Sequence, residues 1–274
     1  MIVEQQNYAE GGDILLRSGN ETFLVHKLIL SLSSKIFKDL IETSKPSTNE
    51  NVRIVNNYSI DEIYVHGETP ELIRGMLSFI YPDKYHITIT WDNISDYLRI
   101  SNKFAIKKLE QGCKEMLLEK IQINTLLTMK FAEEYSFHDI YKESSKLILD
   151  DFLIYSSDSQ FKQLSKETRL KLHERWSDYQ NELQQFICKY QQVKVHRDSE
   201  IISLRKYITE MFPSTTLLKL LKPSLLVDMC EKLLFVGYYN KFINNYPQKI
   251  LTYEPLFQNV SLTDKKYIFI ELDD

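Results

Sequence analysis

Three cysteines, Cys113, Cys188 and Cys230, are far apart and odd in number. Neither a disulfide framework nor a paired-cysteine zinc clamp can be drawn from them. Glu133 and Glu134, followed by His138 and Asp139, have the residue types of general acids and bases, but adjacent residues on a helix do not face each other, so neither pair converges on one substrate atom. His26 lies where a strand should pass into a helix and has no second His or carboxylate at ligand spacing; it reads as a packed, hydrogen-bonded side chain. No Ser/His/Asp or Cys/His arrangement emerges. Neither GxGxxG nor GxxxxGK[ST] occurs, and the chain has only 7 glycines, so loops that cradle phosphate have no seat. The expectation is a protein that makes and breaks no bonds and holds no metal or cofactor.

Charge names no ligand either. Thirty-four Lys and Arg against 38 Asp and Glu leave a net charge of −4 over 274 residues, too small and too dispersed to advertise nucleic acid or an acidic membrane. The locally basic stretch Lys189, Lys194, His196, Arg197, Arg205 and Lys206 is interrupted by Asp198, Glu200 and Glu210 and reads as a solvated helix face. No uninterrupted apolar run approaches the ~18 residues of a spanning helix, and the opening MIVEQQNYAEGGD has no signal-peptide pattern. A cytoplasmic or nuclear location, reducing for the cysteines, is expected.

The elements that would position these residues follow from periodicity. Residues 13–16 and 22–25 read as two strands around a turn at 17–21. Leu28, Ile29, Leu32, Ile36, Phe37 and Leu40 recur three and four apart, predicting an amphipathic helix or two short helices in sequence over residues 26–41. Residues 43–51, with Pro46, read as a loop, and Val52, Ile54, Ile63 and Val65 as one or two strands. Pro70 suits the first turn of a helix whose buried stripe is Leu72, Ile73, Met76, Leu77 and Ile80, and Pro82 ends it. After an alternation at 86–90, helical periodicity runs to about Leu234, broken near Asn124, Asp158 and between Pro213 and Pro223.

Leu172, Trp176, Tyr179, Leu183, Phe186, Tyr190 and Val193 form a seven-residue seam. Its aromatics suit packing against neighbouring helices, with a coiled coil or long partner-binding helix as the alternative. The segment from about Gly237 is β-like at residues 265–271 and too short for a kelch propeller. The fold class is α+β: a small mixed α/β head followed by an all-α body.

The head resembles a known family. GGDILLRSGNETFLVHKLILSLSSKIFKDL is similar to the opening of the BTB/POZ domain, through Asp13, Phe23, His26, Lys27, Leu30, Ser33 and Phe37. TPELIRGMLSFIY and DYLRISNKFAIKKLEQGCKEML resemble the helix before that domain's last strand and the helix pair that closes it. NTLLTMKFAEEYSFHDIYKESSKLILDDF and QFKQLSKETRLKL resemble the BACK domain of ubiquitin-ligase adaptors. The implied division is a short lead over residues 1–12, a BTB/POZ domain over 13–121, a BACK-like helical domain over 122–235, and a C-terminal segment of unknown role over 236–274.

The resemblance implies an adaptor that joins itself in a homodimer and links an unidentified client protein to a cullin-3-type ubiquitin ligase. The alternative is a self-association scaffold or transcription-type cofactor without cullin binding. Asp13 and Lys27 match positions that line a pocket at the subunit interface of some BTB dimers; an intramolecular ion pair or helix-entry contact is the other reading. Family members that bind a cullin carry a hydrophobic-x-Glu segment in a loop ahead of the third strand. Here the loop after Phe37 departs from that pattern, running Glu42-Thr43-Ser44-Lys45-Pro46-Ser47, whereas Ile60-Asp61-Glu62 has the right composition. Glu42, Ile60, Asp61 and Glu62 are thus the candidate cullin-contact segment, with an ordinary loop or strand edge as the alternative. Many BTB dimers also exchange an N-terminal strand and helix, and with only residues 1–12 ahead of Asp13 that element is expected to be truncated or missing.

Overall fold

The computed structural model describes residues 4–7, 11–43, 52–55, 58–81, 87–192, 222–224 and 268–273. Along the chain, two compact units divide between Glu119 and Lys120.

The first unit is built on β1 (Glu4–Asn7), β2 (Ile14–Ser18), β3 (Glu21–Val25), β4 (Val52–Val55) and β5 (Tyr58–Tyr64). They form one sheet in the order β1-β3-β2-β5-β4, with β1–β3 and β2–β5 parallel and the other pairs antiparallel. Ile14, Leu15 and Leu16 are all buried, as expected where an interior strand is covered on both faces. The β2–β3 turn is tighter than its sequence suggests: Ser18 pairs with Glu21, leaving only Gly19 and Asn20 in the loop. Gly19 takes φ +56, the conformation that a two-residue hairpin loop demands of its first residue.

Helices α1 (Lys27–Ser33) and α2 (Lys35–Thr43) follow, separated by Ser34 in an extended conformation. The Ser34 hydroxyl donates to Phe104 O and accepts from Phe37 N at 3.0 Å, pinning the break. Helix α3 (Pro70–Ile80) starts as predicted, with Pro70 in its first turn and the Thr69 side chain accepting from Leu72 N at 3.3 Å. This cap satisfies an orphan amide at the helix start. Ile73, Met76, Leu77 and Ile80 are buried, Leu72 half-buried. Helix α4 (Ile94–Phe104) ends on left-handed Ala105, φ 51, and α5 (Lys107–Glu119) closes the unit. The alternation expected at 86–90 forms no strand over its described residues 87–90. There Thr90 N instead donates to Asn93 Oδ1 at 2.8 Å, a turn that leads into α4. Inside the unit, the Phe37 and Phe104 rings stack at 4.7 Å beneath the helix pair.

The second unit comprises α6 (Thr125–Glu134), α7 (His138–Asp150), α8 (Phe152–Ser157), a 3-10 turn over Ser159–Gln163 and α9 (Lys166–Gln192). Breaks fall at Asn124 and Asp158 as the sequence predicts. A further one comes at Ser136, which takes φ 56 between α6 and α7. Of the seven-residue seam, Leu172 and Tyr179 are buried and Trp176 stacks on Phe152 at 5.3 Å, so this part packs within the unit. Residues 222–224 return to the body, where Ser224 N and Oγ donate to Asp150 at 2.9 and 2.8 Å. Of the stretch 265–271 expected to be β-like, the described residues 268–271 form no strand, nor do residues 272 and 273.

The expectations at Pro82, Pro46, Val193, Pro213, Cys230, residues 194–210 and 236–267, and for the side chains of Leu183, Phe186, Cys188, Lys189 and Tyr190, lie outside the described residues.

Candidate interaction surface

Helix α1 begins where β3 ends. His26 precedes the helix but offers it no side-chain cap. Asp13, just ahead of β2 at the same open end of the hairpin, does so instead: its Oδ1 accepts from Lys27 N at 2.7 Å. The Lys27 ammonium then reaches Asp61 Oδ2 on β5 at 2.6 Å. Asp13, Lys27 and Asp61 are therefore brought together, Asp13 as a helix-entry contact and Lys27 as half of an intramolecular ion pair. His26 is half-buried, with its ring Nδ1 3.5 Å from the Tyr81 hydroxyl, and its backbone N donates to the same hydroxyl at 3.0 Å. Burial pushes the Tyr81 phenol above its usual value.

Glu42 lies at the exposed end of α2, 3.8 Å from Lys38. Ile60, Asp61 and Glu62 are not in a loop. They sit inside β5, Asp61 opposite Ile14 on one side and Val52 on the other. Asp61 is paired on both sides, Ile60 with Arg53 of β4 and Glu62 with Leu15 of β2, and Glu42 stands apart from the segment on another element.

The apolar stripe of α1 and α2 faces a direction its periodicity did not reveal. Leu28 is 69 % and Leu32 79 % exposed, and Ile36 and Leu40 are exposed as well. The buried anchors are Leu30 and Phe37. Residues four apart share a helix face, so α1 presents Leu28 and Leu32 together and α2 presents Ile36 and Leu40. Large aliphatic side chains turned outward in this way mark a protein-interaction surface more often than a solvated helix. At the sheet edge, residues 4–7 form the strand β1, which pairs with β3 of its own chain, Glu4 opposite Glu21 through Asn7 opposite Leu24.

One cluster had no signal in the sequence. Glu68, only 7 % exposed, joins the end of β5 to α3. Its carboxylate accepts two bonds from Arg99, at 2.9 and 2.8 Å, and one from Lys103 at 2.7 Å. Its backbone oxygen accepts from Ser18 Oγ at 2.6 Å. Burial alone would raise the Glu68 pKa, but hydrogen bonds and charge from Arg99 and Lys103 prevail and hold it below the usual carboxylate value. Arg99 and Lys103, four apart on α4, form a fork for one distant carboxylate. The cluster fixes the strand-to-helix corner and offers no free group for chemistry.

Two further side chains with reactive chemistry have structural surroundings. Cys113 is buried, and burial followed by the nearby Glu110 pushes its thiol up to about 12, where thiolate is negligible at neutral pH. Glu133 accepts from Thr168 Oγ1 at 2.6 Å and from Ser165 N at 3.3 Å, securing the start of α9. Among the described residues no group of His, Cys, Asp and Glu could hold a metal ion, and no helix is long and apolar enough to cross a membrane.

Comparison with known proteins separates head from body. The BTB/POZ domain family model matches residues 3–121. "BTB/POZ and MATH domain-containing protein 3" of Arabidopsis thaliana is 30 % identical over 138 residues, 46 % of this chain and 31 % of that protein. "Kelch-like protein 28" of Mus musculus is 27 % identical over 154 residues, 56 % of this chain and 25 % of that protein. "BTB and MATH domain-containing protein 40" of Caenorhabditis elegans is 25 % identical over 139 residues, 48 % and 32 % of the two chains. The chain spans between a quarter and a third of the length of these curated relatives. The hairpin, the helix pair with its exposed aliphatic face and the three helices that follow all fall within the matched span, and residues 3–121 are a BTB/POZ domain.

Proposed function

We propose that this chain is a protein–protein interaction adaptor. Its BTB/POZ head associates with a second copy, and docks on a cullin-3-type ubiquitin-ligase scaffold, while a BACK-like body over residues 122–235 sets the distance to a client protein. The observation that carries the reading is the aliphatic face of Leu28 and Leu32 on α1. Burying each such side chain against a partner is worth about 1.5–3 kcal/mol, and a face used twice about a two-fold axis doubles the gain. As an adaptor the chain acts by proximity, raising the effective concentration of client lysines near the charged ubiquitin carrier, and needs no catalytic group of its own.

A second reading has its own support. Ile60-Asp61-Glu62 is held in a central strand with Asp61 on Lys27, which favours a self-association scaffold or transcription-type cofactor that does not use this segment for a cullin. Size-exclusion chromatography with light scattering, run on the full chain with and without the N-terminal part of cullin-3, separates the two. A 2:2 complex supports the adaptor; a dimer that ignores cullin-3 supports the scaffold; a monomer that ignores it refutes both.

A further inference from the structure

Residues 268–273 lie on the helical body as a bound peptide lies in a groove. Ile268 and Ile270 are buried and Phe269 between them is half-buried, a period-two alternation of burial like that of an extended segment. Their main chain is read by a side chain: Ser145 Oγ on α7 accepts from Ile270 N at 3.1 Å and also contacts Ile270 O at 3.3 Å. Lysines read the rest. Lys142 Nζ sits 4.1 Å from the Phe269 ring centroid and 3.6 Å from Glu271 Oε1. Lys146 Nζ is 5.8 Å from the same ring, and Lys171 on α9 holds Asp273 at 2.5 Å.

The helices beneath this segment are also tied directly to one another. Tyr141 OH on α7 bonds Thr168 Oγ1 on α9 at 2.8 Å, and Thr168 Oγ1 donates to Glu133 on α6 at 2.6 Å. The helix acids that also face these lysines are Glu143, 2.7 Å from Lys146, and Glu167, 3.3 Å from Lys171.

We infer that the surface formed by Lys142, Ser145, Lys146 and Lys171 is a binding site for an extended peptide of alternating apolar residues followed by acids, and that residues 268–273 occupy it in cis as a competitor. Apolar pockets for alternate side chains plus polar capture of the main chain are the elements of extended-peptide recognition. A tethered occupant acts at high effective concentration, so a client segment of the same chemistry must displace it. The site deepens the adaptor reading, resting on it only for the word client; peptide binding and cullin-3 co-elution are separate measurements and can fail separately.

The test keeps the full chain. Ile268→Asp with Ile270→Asp unseats the tail, and a fluorescein-labelled peptide of residues 265–274 is titrated by fluorescence anisotropy into this variant and into wild type. The variant should bind the peptide at least about tenfold more tightly than wild type, and a peptide carrying Glu271→Lys and Asp273→Lys should lose that binding. Equal, weak binding to both proteins, with helical circular dichroism retained, overturns the inference. If the double Asp variant loses its helical signal, full-length Glu271→Lys with Asp273→Lys decides instead. Both of those side chains are exposed, so this variant should fold and bind the wild-type peptide several-fold more tightly than wild type does; no gain overturns the inference.

Discussion

The Lys27 ammonium and the Asp61 carboxylate meet at 2.6 Å, tying the first turn of α1 to the centre of β5. Both side chains are more than a third exposed, so water screens the pair and its net worth is small. Asp61→Asn should cost no more than about 1 kcal/mol, whereas Asp13→Ala, which uncaps α1, should cost about 1–2 kcal/mol. Urea denaturation of the two variants checks the order; a larger loss for Asp61→Asn would mean the ion pair and not the cap secures the helix entry.

Glu68 is the charge whose loss should be felt most. Glu68→Gln keeps the shape but removes the charge from three charge-assisted bonds, and should cost about 1–3 kcal/mol at neutral pH. The sign with pH follows from its lowered pKa. A carboxylate depressed in the folded state adds stability that is fully present above the unfolded value of about 4.3 and lost as pH falls through the folded value. Wild type should therefore lose stability more steeply than Glu68→Gln below about pH 4.3. Parallel urea midpoints over that range would contradict this.

Gly75 lies on the buried face of α3, where an added Cβ would come within 2.8 Å of the Tyr97 ring and 2.2 Å of its hydroxyl. Alanine gains about 1 kcal/mol of helix propensity over glycine. Overpacking against a buried ring costs about 1–3 kcal/mol and should win. Gly75→Ala is expected to lower the melting temperature, with partial recovery on adding Tyr97→Phe.

The α1 face is open to a direct test. Leu28→Asp with Leu32→Asp removes two exposed aliphatic side chains, and surface changes of this kind usually move monomer stability by within about 0.5 kcal/mol. Light scattering should report a shift from dimer toward monomer while the helical signal persists. An unchanged dimer would place self-association on another face.

Much of the head was legible because its signals are local. Pro70 marks its helix start by its missing amide, and Ile73, Met76, Leu77 and Ile80 show their burial by spacing. The stripe through Leu28, Leu32, Ile36 and Leu40 was equally visible, but periodicity states that a face is apolar and not whether its cover belongs to the same chain. Glu68 was silent since its partners are 31 and 35 positions away, with no pattern linking them. Ile60-Asp61-Glu62 suited a partner-contact motif by composition, yet only strand pairing shows that its backbone is already used. At residues 265–271 a β-like composition was readable, while the lysines that receive residues 269–273 lie on helices made much earlier in the chain.

That last separation has a temporal side. Ile270 contacts Ser145 across 125 positions, and the ribosome releases the two ends of this contact at different times. Lys142, Ser145, Lys146 and Lys171 leave the tunnel about a hundred residues ahead of the segment that covers them, an interval on the order of ten seconds at typical elongation rates. Each newly made molecule thus passes through a period in which its helices can be complete and its own tail is still being translated. A ligand present at the site of synthesis meets an uncontested groove then, and later copies of the same ligand meet a filled one.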